Sequence, residues 1–192
     1  MFKKIAIFLV AVGLFGLGIV TNNYLIQADK ANQAATASKK TAIATRKLEQ
    51  ALLDEFYSLN SKLGIGLSYL QYGQELTQLK SSLDKFEREQ GNSIVISNLK
   101  ASMTAYIDAL SLWKACIENC TASKQILLGS TLNNSQEVKD RRKLIDLYGI
   151  KTQIDIEYEM RSADQSEVLT TIWAKARTEI DIAQNLINNQ TN

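Results

Sequence analysis

The chain has 192 residues with 22 basic and 20 acidic side chains, two cysteines, and neither proline nor histidine. The lack of histidine excludes Ser-His-Asp and Cys-His nucleophilic systems, HExxH zinc sites, Glu-x-x-His di-iron sites and His-ligated haem. Lys3 and Lys4 aside, the remaining 20 basic residues balance the 20 acidic ones, all beyond residue 28, which argues against a dedicated nucleic-acid or anionic-lipid surface.

Residues Ile5 to Val20 form a run of 16 without a polar side chain, preceded by Lys3 and Lys4. A charged start followed by an apolar run is the order of an export signal. Its length falls between a cleaved signal core and a full span of about 20 residues. Continuing through Tyr24, Leu25 and Ile26 makes it long enough to span. The competing reading is cleavage after Ala28, with Ile26 and Ala28 as the −3 and −1 residues. We take 1–28 as a signal anchor or signal peptide, the uncleaved anchor being preferred, with the lysines on the cytoplasmic side and the bulk exported. No cysteine precedes Cys116, which excludes a bacterial lipoprotein.

Residues 29–45 are Ala-, Thr-, Ser- and Lys-rich and read as a polar stalk, either a polar helix or a flexible tether. From there to residue 189 the spacing predicts a bundle of helices. Leu48, Leu52, Phe56, Leu59 and Leu63 make one apolar stripe. Gly64 and Gly66 mark either a turn or a kink. Ile65, Tyr69, Tyr72, Leu76, Leu79, Leu83 and Phe86 then alternate spacings of 4 and 3, the period of helix-on-helix packing. Gly91 is the expected C-cap, and Asn92 or Ser93 the expected N-cap of the next helix.

That next helix carries Leu99, Met103, Tyr106, Leu110, Trp113, Ile117 and Cys120, and should pair with its predecessor as an antiparallel hairpin. Thr121 to Asn134 is an ambiguous connector with an apolar patch at Ile126 to Leu128. A further helix is predicted from Ser135 to Arg161 on the seam Leu144, Leu147, Ile150, Ile154 and Tyr158. The last runs from Gln165 to Asn189 on Leu169, Ile172, Ala176, Ile180, Ala183 and Ile187. The fold class expected is therefore all-α: an N-terminal membrane segment followed by an up-and-down bundle of four to five helices.

Two constellations stand out. In "KACIENC", Cys116 and Cys120 are four apart, and an even cysteine count in an exported chain suggests a disulfide. An intact helix resists that bridge, so the pairing implies fraying near Glu118. Two buried free thiols are the alternative, and the spacing is not the C-x-x-C of zinc or thioredoxin-like sites. The second constellation is Tyr69, Tyr72, Tyr106 and Trp113, beside the glycines, which either line a small pocket or fill the helical core. No metal site or cofactor is expected. The acids of "DIEYEM" spread around a helix axis and read as a solvated face, as does the basic "KDRRK".

The stretch "SKLGIGLSYLQYGQELTQLKSSLDKF" with the later "YIDALSLWK" resembles uncharacterised exported helical proteins of bacteria. The shared pattern is a Gly-x-x-Tyr start, a Leu-Asp-x-Phe end and a Tyr-x-x-Ala-x-x-x-Trp. The resemblance covers residues 61–114 and implies a helical hairpin, with no activity or functional residue attached.

The leading expectation is a non-enzymatic interaction or structural module of the bacterial envelope, held at the inner membrane by its N-terminal segment. Its partner would be an envelope protein or a second copy, the stalk being able to self-associate. It would be secreted if the segment is cleaved. The alternative is a periplasmic small-ligand sensor or binding domain, with its ligand among the aromatic seams and a separate signalling partner. Third is a histidine-free carboxylate enzyme.

Overall fold

A computed structural model describes residues 2–120, 124–130, 135–155 and 160–189, with only the backbone described before residue 30. Five helices and three strands follow one another: α1 (Phe2–Ile65), α2 (Tyr69–Gln90), α3 (Ile94–Asn119), β1 (Gln125–Ser130), α4 (Gln136–Leu147), β2 (Gln153–Asp155), β3 (Met160–Asp164) and α5 (Gln165–Asn189). The chain divides into two compact units, Met1–Arg46 and Lys47–Asn192.

The first unit is helical throughout its described length. Of the two conformations considered for the stalk, the helical one is present, with Thr36 and Thr41 donating back to the carbonyls of Asn32 and Ala37. Such bonds let a polar side chain serve the helix instead of competing with it. The anchor expected at 1–28 lies outside the residues whose side chains are described. Among the described residues, no helix is long and apolar enough to cross a membrane.

The second unit is an up-and-down bundle of α2, α3, α5 and the part of α1 after residue 46. Lys62 pairs with Glu75 across α1 and α2, Lys100 with Glu87 across α2 and α3, and the Tyr57 hydroxyl donates to Asp181 across α1 and α5. Each helix meets its neighbour antiparallel. Gly66 to Ser68 form a turn: α1 stops at Ile65, Gly66 takes φ +108°, and its N–H donates to the Lys62 carbonyl. Only glycine adopts that φ without strain. Ser68 opens α2 through a capping box with Gln71.

The expected stripes are largely buried, but Leu48 at the start of the α1 stripe is 46% exposed, Leu63 and Tyr69 are only half-buried, and two further departures follow. Leu52, Phe56 and Leu59 of α1, Tyr72 to Phe86 of α2 and all six seam positions of α5 face the core. Ile65 is 88% exposed, because it ends α1 at the edge of the turn instead of opening α2. In α3 the strict repeat fails toward the C-terminus. Ala109, Leu112 and Cys116 are buried there, while Leu110 and Trp113 are half-buried and Ile117 is exposed. A straight helix turns by 3.6 residues and drifts about 20° per heptad from a 3.5 repeat, so the buried stripe shifts by one residue.

The all-α expectation is corrected between α3 and α5. The helix predicted for Ser135 to Arg161 ends at Leu147, after 12 residues. Tyr148 caps it, Gly149 takes φ +62°, and the N–H groups of Gly149 and Ile150 donate to the carbonyls of Asp146 and Ile145. This is a Schellman stop, with Ile150 and Ile145, the two apolar residues it joins, both buried. Beyond it Ile154 is exposed in β2, not on a helical seam, and Tyr158 lies outside the described residues.

The strands form an antiparallel sheet in the order β1-β3-β2. Ile126 and Leu128 of β1 and Ala163 of β3 turn into the core, which is the period-two burial of a strand. Ser162 to Asp164, left between the two predicted helices, belong to β3. Arg161 fastens the sheet to α4 by donating to Thr152 and Asp146.

Candidate functional site

The residues singled out from the sequence gather at the end of the bundle where α1 turns into α2. Tyr69 and Tyr72 come from the start of α2 and Trp113 from the last turns of α3. Trp173 joins them from the start of α5. Ring centroids lie 6.0 Å apart for Tyr69 and Trp113, 5.8 Å for Tyr72 and Trp113, 5.9 Å for Tyr72 and Trp173, and 6.0 Å for the two tryptophans. Three of the four pairs meet edge to face, the favoured arrangement of aromatic quadrupoles. Trp173 was missed by sequence reasoning because it stands beside the α5 seam, next to Ile172, and not on it.

Tyr72 and Tyr106 are fully buried, whereas Tyr69 and Trp113 are half-buried. The Tyr72 hydroxyl donates to the Tyr106 carbonyl at 2.8 Å and accepts from the Trp173 indole nitrogen at 3.2 Å. Burial pushes the Tyr72 phenol far above its usual pKa, with the bond from Trp173 opposing the shift. Tyr106 is raised for the same first reason, opposed chiefly by the Arg177 charge. Its hydroxyl and the neighbouring Ser102 Oγ are buried without a hydrogen bond of good geometry among the described residues. Both tyrosines therefore stay protonated at neutral pH, and neither is poised to act as a base.

Cys116 and Cys120 are paired as a disulfide. The fraying expected near Glu118 is absent: α3 runs through Asn119, and it is Cys120 that leaves the helix, with extended backbone and its N–H still donating to the Cys116 carbonyl at 2.8 Å. Leaving the helix at the second cysteine removes the geometric conflict. The pair sits at a helix C-terminus, where the dipole opposes a thiolate, the reverse of the arrangement that activates cysteines.

Among the described residues of the second unit, clefts also lie elsewhere, and none of the four expected aromatic residues lines the two that follow. One, of about 210 Å³, lies between α1 and α2 beside Leu52 and Phe86. The other, of about 280 Å³, is a notch between α3 and α5. Ala101 and Ala105, one turn apart on α3, leave the space. Thr171, Lys175 and Glu179 face them from α5, and Leu147 and Tyr148 close one side from the end of α4. Lys175 pairs with Glu179 at 2.6 Å, the carboxylate side chain being 14% exposed and the lysine 55%. The Tyr148 hydroxyl donates to Asp108 at 2.7 Å. Burial, then that bond to Asp108, raise the Tyr148 phenol well above its usual pKa.

Among the described residues no group of three His, Cys, Asp or Glu side chains is placed to hold a metal ion. No family model, curated protein or solved structure matches the chain.

Proposed function

We propose that the chain is an exported helical domain tethered to the inner membrane by its N-terminal segment, serving as an interaction or structural module of a bacterial envelope. The observation that carries this reading is the Cys116–Cys120 disulfide, a bond that persists in oxidising compartments outside the cytoplasm. It follows in the same chain a charged-then-apolar export signature at Lys3 to Val20. Apolar side chains left exposed at the end of α1, the start of α2 and the end of α3, namely Ile65, Leu70 and Ile117, suit contact with another protein.

Thiol trapping in whole cells tests the reading. Cells are denatured in a thiol-blocking reagent before any reduction. The chain should carry no blocked cysteine, and a variant lacking residues 2–20, retained in the cytoplasm, should carry two. Two blocked thiols in the wild-type chain would overturn the proposal. A second reading, a small-ligand-binding domain acting through a separate partner, is favoured by the notch between α3 and α5.

A further inference from the structure

We infer that the notch between α3 and α5 is a binding site for a small molecule with a primary ammonium head and a short apolar body; this rests on the small-ligand reading. Ala101 and Ala105 on one wall, with Leu147 and the Tyr148 ring on another, make a mostly apolar lining. At about 280 Å³ the space is near the lower end of ligand-sized pockets and admits a short chain or ring.

The sign of the head group follows from the charges around it. Glu179 reaches the notch with its carboxylate largely covered, and Asp108 stands behind Tyr148. The C-terminus of α4 adds the negative end of a helix dipole at Leu147 and Tyr148. Against these, Lys175 supplies one positive charge from a long side chain more than half exposed. With the lysine end of that pair exposed, a ligand ammonium can compete with it from the solvent side. A ligand ammonium takes the place of Lys175 on Glu179 and reaches the Tyr148 ring face, while its apolar body displaces water from the alanines. A carboxylate in the same position meets Glu179 and Asp108.

The test uses the full-length protein with ¹⁵N-labelled amides, titrated separately with n-hexylammonium, hexanoate and an end-blocked peptide containing one lysine. Shifts of the Ala101, Tyr148 and Glu179 amides report the site. Hexylammonium should shift these amides saturably and hexanoate should not. Glu179→Gln should weaken hexylammonium about tenfold or more. Lys175→Met, which removes the competitor, should strengthen it. Ala101→Leu, an exposed position whose larger side chain fills the notch, should abolish the shifts while leaving the rest of the spectrum in place.

Hexanoate binding as well as hexylammonium would overturn the assigned ligand class while leaving a small-ligand site. The lysine peptide binding as tightly as hexylammonium would assign the site to a protein side chain and overturn the small-molecule assignment. No saturable shift with any probe would overturn both the inference and the reading beneath it.

Discussion

The indole nitrogen of Trp173 donates to the hydroxyl of Tyr72 at 3.2 Å, tying α5 to α2 across the core. Tyr72 passes the connection to α3 by donating to the Tyr106 carbonyl. One phenol thus joins three helices.

Tyr72→Phe should therefore cost about 1–2 kcal/mol, since it removes that bond and leaves the Trp173 N–H without its partner. Tyr106→Phe, which removes a buried hydroxyl lacking a well-formed bond, should change stability by less than about 0.5 kcal/mol. Urea denaturation of the two variants checks the contrast, and equal losses would contradict it.

Ser93 is the N-cap of α3, accepting from the Ile96 N–H while donating at 2.6 Å to Glu49, a carboxylate buried on α1. Ser93→Ala removes the cap and the partner of a buried acid at once, so it should cost about 2 kcal/mol or more. Ser68→Ala, at an exposed cap, should cost about 1 kcal/mol. In a Glu49→Gln background the Ser93→Ala penalty should shrink, and a double-mutant cycle measures that coupling.

The disulfide closes a loop spanning a sequence separation of 4. A loop this short constrains the unfolded chain modestly, about 2 kcal/mol in the chain-entropy account. The Cys116→Ser, Cys120→Ser double variant should fold with its bundle intact and a midpoint lowered accordingly. Loss of cooperative unfolding would show that the bridge holds more than the end of α3.

Tyr72 and Tyr106, both fully buried, have folded-state pKa values raised above the unfolded value of about 10, chiefly by burial. The folded state then retains protons that the unfolded chain gives up. The stabilisation is fully present below pH about 10 and is lost as pH rises above it, by about 1.4 kcal/mol per pH unit for each such tyrosine. Absorbance at 295 nm should show these phenols ionising together with loss of the far-ultraviolet helical signal. Ionisation while the helices persist would contradict their burial.

Helical seams were legible wherever one face is buried along a whole helix. Tyr72, Leu76, Leu79, Leu83 and Phe86 need no tertiary information to be grouped, and the α5 set reads equally well. The region between α3 and α5 was not, because Leu144, Leu147, Ile150 and Ile154 fit a helical period by accident. The overlooked signal was Gly149 followed by Ile150, the pair that closes a Schellman stop. Ile126 and Leu128 carried the alternation of a strand, too short to stand out until β3 paired with it. The notch was hidden for another reason. Its walls are two alanines, and its roof depends on where α4 ends, which no local pattern states.

Export with retention at the membrane is tested by intact mass after membrane fractionation. The full 192-residue chain should be found in the membrane pellet, with residues beyond 28 digested by protease added from the extracytoplasmic side. A chain beginning at Asp29 in the soluble periplasmic fraction would contradict the anchor. A full-length chain in the cytoplasm with both thiols free would contradict export itself.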